Sequence, residues 1–342
     1  MPSKEELKLL QALPLELKVE KTKARIREWV NYYGVDGVAV SFSGGKDSTV
    51  LLHLVRELYP TVEAVFVNTG LEYPEIQAFV KTFDNVTILR PKMRFDEVIR
   101  RYGYPVISKE VSECVSQGRK ALTSKKYGYK LQKLLGTAKD RNGDKSIFNL
   151  EKYKPLLYVD FKISHNCCNV MKKKPAHDFC KTTGKKFITA QMAEESMLRR
   201  QQWLNNGCNG FDMKNPISNP MSFWLEQDIL EYIRSRSLRI ASVYGEITNT
   251  TKDGQLCMDG CGNLRCTGCK RTGCIFCMFG AHFSDDYRFI RLKETHPKQY
   301  SYCMNGGEYD TDGFWKPNKD GLGMAHVIDE LNKIYGKDFI RR

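Results

Sequence analysis

The feature that most constrains this chain is a glycine-containing turn, Ser43-Gly44-Gly45-Lys46-Asp47-Ser48, called here the 43–48 loop. It lies between apolar runs at 38–42 and 49–55, which predicts a strand, a tight turn and the start of a helix. Glycines let a backbone approach a ligand closely, and the N-terminus of a helix attracts phosphate. Lysine and serine side chains add a positive charge and hydroxyl donors. The loop therefore indicates a binding site for a pyrophosphate group; the alternative is a turn that binds nothing.

Length and composition limit the classes of protein to which this chain can belong. The 342 residues are enough for one large domain or two modest ones, and 41% of them are hydrophobic, as in soluble globular proteins. The first residues include early acidic side chains and no apolar core of a signal peptide, and no apolar stretch is long enough to cross a bilayer. We expect a cytoplasmic protein without a membrane partner. The net charge of +14 favours a polyanionic partner.

Apolar runs and helical spacing alternate along most of the chain. An amphipathic helical segment is predicted over residues 1–33, and further buried strands over 62–67, 86–89 and 186–190. This alternation predicts an α/β fold with a doubly wound, mainly parallel sheet over 34–245, followed by a cysteine-rich module over 246–342. Ligands of such sheets lie at the carboxyl ends of the strands, where the 43–48 loop, Asn68 and the segment after Ala190 all fall.

Residues 115–160 interrupt this pattern with a basic insertion. Its lysines and arginines alternate with Tyr127, Tyr129, Phe148 and Tyr153. Interleaved basic and aromatic side chains can follow a phosphate backbone and stack on bases. The insertion therefore predicts a nucleic-acid partner, tRNA or DNA, or another anionic acceptor; the alternative is a solvated, lysine-rich helical segment.

Twelve cysteines in a cytoplasmic chain favour metal or thiol chemistry over disulfides. The adjacent pair Cys167-Cys168 and the pair Cys274 and Cys277 suit either a tetrahedral zinc ion or a [4Fe–4S] cluster. Adjacent cysteines are awkward for one small ion but natural for two iron corners; four buried free thiols are the remaining alternative. Upstream of Cys274, an additional zinc site or substitute cluster ligands are expected among four more cysteines: Cys257, Cys261, Cys266 and Cys269.

Five motifs resemble the phosphoadenosine phosphosulfate (PAPS) reductase-like branch of the adenine-nucleotide α-hydrolases, a HUP-type fold, over roughly residues 35–285. They are SGGKDS at 43–48, NTGLEYPE at 68–75, KISHNCCNVMKKKP at 162–175, QMAEESMLRR at 191–200 and RTGCIFCMFG at 271–280. The 43–48 loop resembles the family's PP-loop, which holds the β- and γ-phosphates of ATP. The resemblance also implies that Asn68, Thr69 and Gly70 lie beside the adenosine. It further implies that the four thiols of Cys167, Cys168, Cys274 and Cys277 are [4Fe–4S] ligands.

Further roles follow from residue chemistry at the expected ATP site. Ser43, Gly44, Gly45, Lys46 and Ser48 would hold the β- and γ-phosphates. Asp47 would bind Mg²⁺, or would instead cap the helix. Arg199 and Arg200 would contact the α-phosphate or an anionic substrate, the alternative being an exposed helix face with pairs such as Glu195–Arg199.

These observations lead to three hypotheses of function. The first is an ATP-dependent adenylyl-transfer enzyme of sulfur metabolism, which releases pyrophosphate and then uses an Fe–S cluster and a sulfur donor protein. The 43–48 loop resembles those of the ATP sulfurylase small subunit and the DNA phosphorothioation ATPase, which use ATP. The second is a sulfonucleotide reductase. Such reductases resemble this chain but are expected to carry a catalytic cysteine near the C-terminus, whereas the last cysteine here is Cys303, which counts against this hypothesis. The third is a non-enzymatic Fe–S nucleic-acid-binding protein.

Overall fold

The structure is a computed structural model, and it describes residues 2–125, 127–251, 255, 257 and 261–342. Lys126 of the basic insertion therefore lies outside the described residues. The α-helices are α1 Lys4–Gln11, α2 Leu15–Tyr33, α3 Lys46–Leu58, α4 Pro74–Val80, α5 Phe95–Tyr102, α6 Lys109–Ser124, α7 Tyr129–Leu135, α8 Lys174–Thr183, α9 Met197–Asn206, α10 Glu226–Ser235, α11 Arg288–Thr295, α12 Pro297–Met304 and α13 Met324–Tyr335. The strands are β1 Val38–Ser41, β2 Glu63–Val67, β3 Val86–Leu89, β4 Val106–Ile107, β5 Lys186–Ile188, β6 Asn209–Gly210, β7 Ile217–Ser218, β8 Ile247–Thr250, β9 Asn263–Cys266, β10 Met278–Phe279, β11 Glu308–Tyr309 and β12 Trp315–Lys316. Short 3₁₀ helices cover Glu151–Leu157, Ala193–Glu195 and Ser242–Tyr244, and a π-helical turn covers Asn169–Lys173.

The chain forms two compact units, each assembled from separated stretches. The first unit contains Met1–Asn68, Glu72–Arg90 and Pro175–Thr272. The second contains Thr69–Leu71, Pro91–Lys174 and Gly273–Arg342. Because the chain passes between the units several times, neither unit coincides with one of the continuous domains expected at 1–33, 34–245 and 246–342.

A six-stranded sheet forms the centre of the first unit. Its strand order is β3-β2-β1-β5-β7-β6, and every neighbouring pair is parallel except the edge pair β6–β7. The prediction of an α/β fold with a mainly parallel sheet is therefore confirmed. Val38, Ala39 and Val40 of the central strand β1 are completely buried, as expected for a strand covered on both faces.

The parallel order puts three segments at one edge of this sheet. The 43–48 loop follows β1, Asn68 follows β2, and the segment that begins at Thr189 follows β5. These three strands are direct neighbours. Their carboxyl ends therefore lie side by side, as the sequence predicts.

The second unit is built from helices and short strand pairs. β4 pairs with β10 in parallel, and β11 pairs with β12 in an antiparallel hairpin. The basic insertion supplies most of α6, all of α7 and the 3₁₀ helix Glu151–Leu157, which pack on one another. Across the part of the chain that the structure describes, no helix combines the length and apolar character needed to cross a membrane.

Candidate functional site

The 43–48 loop is held together by its own serine hydroxyls. The Ser43 and Ser48 hydroxyl oxygens lie 3.0 Å apart, and Ser48 Oγ accepts the Ser43 N–H at 3.2 Å. The Ser48 hydroxyl also donates to the Gly45 carbonyl at 2.9 Å. Helix α3 begins at Lys46 with Gly45 as its N-cap, so its first N–H groups point into the loop.

The two glycines of the loop are needed for different reasons. Gly44 has a φ of +71°, and a Cβ there would lie 2.7 Å from Val80 Cγ2. Gly45 has an ordinary φ, but a Cβ there would lie 3.2 Å from both Ser43 Oγ and the Tyr244 hydroxyl. A side chain at Gly44 would therefore clash with Val80, whereas one at Gly45 would enter the space in which the hydroxyls of Ser43 and Tyr244 lie.

Lys46 places a buried positive charge at the start of α3. Its side chain is 5% exposed, and its Nζ lies 3.3 Å from Asp47 Oδ1 and 3.4 Å from Glu226 Oε1. Burial opposes the charge, but the Asp47 and Glu226 carboxylates outweigh burial and raise the Lys46 pKa. Lys46 is therefore a cation at neutral pH, positioned to neutralise phosphate.

Asp47 lies in the first turn of α3 and is not its N-cap, because Gly45 occupies that position. Its Oδ1 atom is buried and contacts Lys46 without hydrogen-bond geometry, and among the described residues no hydrogen bond satisfies it. A buried carboxylate oxygen in this condition is a suitable ligand for a hard cation such as Mg²⁺.

Tyr244 and Thr272 join the site from distant parts of the sequence. The Lys46 N–H donates to the Tyr244 hydroxyl at 3.1 Å, and that hydroxyl lies 2.6 Å from Thr272 Oγ1. Burial raises the Tyr244 pKa, so the phenol stays neutral. The sequence analysis missed both residues as well as Glu226, because contacts across such separations leave no local sequence pattern.

A pair of arginines lies near the loop within the same unit. Burial lowers the Arg199 pKa, and the neighbouring positive charge of Arg271 lowers it further, whereas Asp47 acts in the opposite direction. Arg199 also forms an ion pair with Glu195, as the alternative interpretation of this helix predicted. Arg200, by contrast, is exposed. An arginine whose charge is destabilised by a second arginine favours an anion beside it.

The segment predicted to lie beside the adenosine, residues 68–70, is divided between the two units. Asn68 is in the first unit, and its Nδ2 donates to Gln77 Oε1 at 3.4 Å. Thr69 and Gly70 belong to the second unit, where Thr69 Oγ1 accepts the Leu71 N–H at 3.2 Å. Gly70 has a φ of +75°, and a Cβ there would meet nothing within 4 Å.

All four cysteines of the predicted cluster site belong to the second unit: Cys167, Cys168, Cys274 and Cys277. The Cys167 and Cys168 thiols share a hydrogen bond, which together with burial raises the Cys167 pKa; Cys277 and Cys274 raise it further. The same bond lowers the Cys168 pKa against the effect of burial, and nearby lysines assist it. Among the described residues, no group of three or more histidine, cysteine or acidic side chains is arranged to hold a metal ion.

The remaining cysteines of interest are in the first unit. Cys257 and Cys261 form a disulfide, and Cys266 lies at the end of β9, opposite Ile247 of β8. Burial raises the Cys266 pKa, an effect that the nearby positive charge of Lys46 opposes. Cys266 and the buried Cys269 therefore offer two thiols close to the 43–48 loop.

The basic insertion is only partly a solvent-exposed surface. Arg119 donates to four backbone carbonyls, and Lys133 is buried in an ion pair with Glu110. Tyr153 is also buried. The exposed basic residues of the insertion are Lys120, Lys125, Lys139, Arg141, Lys145, Lys152 and Lys154, accompanied by the exposed aromatic residues Tyr127, Tyr129 and Phe148.

A glycine loop at the carboxyl edge of a parallel sheet, with a buried lysine at the start of a helix, defines the class of phosphate-binding α/β proteins. Residues 37–132, which include this loop, match the phosphoadenosine phosphosulfate reductase domain family. The similarity to this family extends over these residues, which make up well under half of the 342-residue chain.

Individual relatives are distant. An uncharacterized protein of Methanocaldococcus jannaschii is 37% identical over 73 residues, which cover 20% of this chain and only 18% of the relative's length. The adenosine 5′-phosphosulfate reductase of Staphylococcus epidermidis is 22% identical over 218 residues, 62% of this chain and 67% of the relative. The crystal structure of the PAPS reductase from Candida auris, a phosphate complex, covers 71% of this chain and 91% of its own, with 14% identity and a TM-score of 0.37. A TM-score this low does not establish a common fold, so the fold class is assigned from the sheet topology alone.

Proposed function

We propose that this protein is an ATP-dependent adenylyl-transfer enzyme of sulfur metabolism. A substrate oxygen attacks the α-phosphorus of ATP, the bond between that phosphorus and the α,β-bridging oxygen breaks, and pyrophosphate leaves with the bonding electrons. Sulfide-level sulfur from a donor protein then attacks the adenylated substrate and AMP leaves with the bonding electrons. Alternatively, an external thiol or electron carrier supplies two electrons that reduce the adduct, and AMP is released. The observation that carries this proposal is the buried Lys46 at the start of α3, in a loop that has no room for a side chain at Gly44 and little room for one at Gly45.

Different residues of the first unit bind different parts of ATP. The α3 N-terminus and Lys46 bind the β- and γ-phosphates, which stabilises the charge that develops on the leaving pyrophosphate. Asp47 holds Mg²⁺ through its buried oxygen. Arg199 and Arg271 bind the α-phosphate or an anionic acceptor, since their charges lie close together near Asp47. Asn68 contacts the adenosine, and the same role for Thr69 and Gly70, which belong to the second unit, stays a prediction.

Pyrophosphate release tests this proposal. Purified protein is incubated without oxygen with ATP, Mg²⁺ and RNA, DNA or small oxyanion acceptors, and pyrophosphate is quantified. We expect release with one acceptor class, and its loss in Lys46→Gln but not in the exposed control Lys81→Gln. No release with any acceptor would contradict the proposal.

We further propose that the cysteine set of the second unit binds a [4Fe–4S] cluster. Its four irons take separate thiolates, and the positive charges of Lys109, Lys172 and Lys173 favour thiolate at Cys168. When bound, such a cluster supplies one-electron chemistry or a soft Lewis-acid site. Cys167, Cys168, Cys274 and Cys277 would hold it.

Metal analysis tests the cluster separately. We expect about four irons and four sulfides per chain after anaerobic purification. Cys274→Ser should lose them, whereas the half-buried Cys180→Ser should keep them. Zinc without iron would contradict the cluster and leave the adenylyl-transfer proposal standing. An additional zinc at Cys266 and Cys269 stays a prediction for the same analysis.

A second candidate function, reduction of a sulfonucleotide, is favoured by one observation. One relative, which this chain covers over 67% of its length, is an adenosine 5′-phosphosulfate reductase. Thiol-dependent release of sulfite from adenosine 5′-phosphosulfate or PAPS, without use of ATP, would replace the first proposal with this one. In either case we propose a cytoplasmic enzyme, and for the adenylyl-transfer enzyme we propose an anionic acceptor, tRNA or DNA among them.

A further inference from the structure

The Tyr244 hydroxyl lies at the point where a phosphate oxygen would meet the helix. It accepts the N–H of Lys46, the first residue of α3, at 3.1 Å. It also lies 3.2 Å from the position of a Cβ on Gly45, with Thr272 Oγ1 only 3.5 Å from the same point. Tyr244 is 2% exposed. Two hydroxyls therefore occupy the space that Gly45 leaves open above the loop.

The position of Tyr244 is fixed by the turn that contains Cys266 and Cys269. The Gly268 N–H donates to the Tyr244 carbonyl at 2.7 Å, and the Cys269 N–H donates to the Val243 carbonyl at 2.8 Å. A Cβ on Gly268 would lie 2.3 Å from the Val243 carbonyl oxygen. This close backbone approach holds the 3₁₀ helix Ser242–Tyr244 against the turn, so the phenol is directed at the 43–48 loop by backbone contacts and not by a flexible side chain alone.

We propose that Tyr244 sets the affinity of the 43–48 loop, because its hydroxyl and a pyrophosphate oxygen compete for the Lys46 N–H. A charged oxygen accepts a stronger hydrogen bond than a neutral phenol, and the α3 dipole adds to this preference. Pyrophosphate therefore displaces the phenol, and the displaced hydroxyl keeps Thr272 as a partner. The free energy gained when pyrophosphate binds is therefore smaller, because the hydrogen bond between the Lys46 N–H and Tyr244 is lost at the same time.

This inference rests on the proposed function, since it assumes that the loop binds the β- and γ-phosphates. It adds one expectation of its own, which is the direction in which the affinity for pyrophosphate changes when the Tyr244 hydroxyl is removed. A residue that merely lines a phosphate site weakens binding when its hydroxyl is removed. A competitor strengthens binding, because its removal leaves the buried Lys46 N–H without an acceptor until phosphate arrives.

Calorimetric titration with inorganic pyrophosphate tests the inference on wild type, Tyr244→Phe and the control Tyr232→Phe. Tyr232 is equally buried in the same unit, and its hydroxyl bonds His53 instead of the loop. We expect Tyr244→Phe to bind pyrophosphate about threefold to tenfold more tightly than wild type. The control should match wild type.

Unchanged or weaker binding by Tyr244→Phe overturns the inference and leaves the proposed function intact, provided that wild type binds. Absence of binding by wild type overturns both. If Tyr244→Phe does not fold, as judged by its thermal unfolding, Tyr244→Leu decides. This second variant also lacks the hydroxyl that accepts the Lys46 N–H, and tighter binding supports the inference, whereas equal or weaker binding overturns it.

Discussion

At the scale of single residues, the 43–48 loop shows how far local chemistry can be read from sequence. The glycines, the lysine and the serines were all identified from their type and spacing, because a strand, a turn and a helix start impose these residues locally. Tyr244 was not identified. It reaches the loop across 198 positions of sequence, and only the fold brings it there.

Asp47 leads to a prediction about metal binding. Asp47→Asn removes a charged ligand but keeps the size of the side chain, so the fold should be retained. We expect ATP to bind wild type more tightly with Mg²⁺ than without it, and this difference to disappear in the variant, because the buried Oδ1 is the proposed ligand.

Calorimetric titration with ATP, in Mg²⁺ and in EDTA, measures this difference. The exposed variant Asp36→Asn serves as the control and should behave as wild type. A Mg²⁺ effect of the same size in Asp47→Asn would show that this carboxylate is not the metal ligand.

At the scale of secondary-structure elements, four strands of the main sheet, β1, β2, β3 and β5, were predicted, whereas the other strands and the role of the basic insertion were not. β3 was predicted with its observed ends, because an apolar run between turn residues identifies a buried strand. Charge alone could not show that Arg119 and Lys133 turn inward, because their partners are backbone carbonyls and a carboxylate brought close by folding.

Arg119 yields a stability prediction for this element. Its guanidinium donates to the carbonyls of Leu156, Leu157, Val159 and Phe161 at 2.7–3.1 Å, which fixes the end of the 3₁₀ helix Glu151–Leu157 on α6. We expect Arg119→Met to lower the free energy of unfolding by about 2–4 kcal/mol, since it removes charge-assisted bonds from partly buried acceptors.

Urea unfolding followed by circular dichroism measures this loss. The neighbouring exposed variant Lys120→Met should change stability by less than about 0.5 kcal/mol. Equal effects of the two substitutions would mean that Arg119 does not stabilise the insertion.

Glu63, at the start of β2, yields a prediction for the pH dependence of stability. Burial raises the pKa of its carboxyl, but hydrogen bonds from Lys185, 2.6 Å away, and from Thr87 outweigh burial and lower it below the ordinary value of 4.5. A lowered folded-state pKa means that the stabilisation is present above the unfolded pKa and is lost as pH falls through the folded pKa.

We therefore expect the melting temperature of wild type to fall more steeply below pH 4.5 than that of Glu63→Gln, and the variant to be less stable near neutral pH. The exposed control Glu16→Gln should follow wild type. Parallel curves for wild type and Glu63→Gln would remove Glu63 from the acid response.

At the scale of the whole molecule, the sequence indicated the fold class but not the division into units. Contacts between stretches far apart in sequence define each unit, and no composition change marks where the chain leaves one unit for the other. The net charge of +14 is also a property of the whole molecule, and the exposed lysines and arginine of the insertion contribute to it.

This charge leads to a prediction about nucleic acid. We expect the triple alanine variant of Lys139, Arg141 and Lys154 to bind single-stranded RNA more weakly than wild type. The slope of log affinity against log salt should fall by about 0.7 for each phosphate contact that is lost.

Fluorescence anisotropy over a range of salt concentrations measures both quantities. Alanine at the exposed Lys4, Lys8 and Lys21 removes the same charge elsewhere and serves as the control. Equal losses in the two variants would indicate a general effect of net charge and would rule out a dedicated surface.

The central claim is that the 43–48 loop binds the β- and γ-phosphates of ATP, and calorimetric comparison of ATP with AMP tests it most directly. We expect ATP to bind wild type at least about tenfold more tightly than AMP, and Lys46→Gln to lose most of that difference while it still binds AMP. Equal affinity for ATP and AMP, or a preference for ATP that survives in Lys46→Gln, would contradict the account.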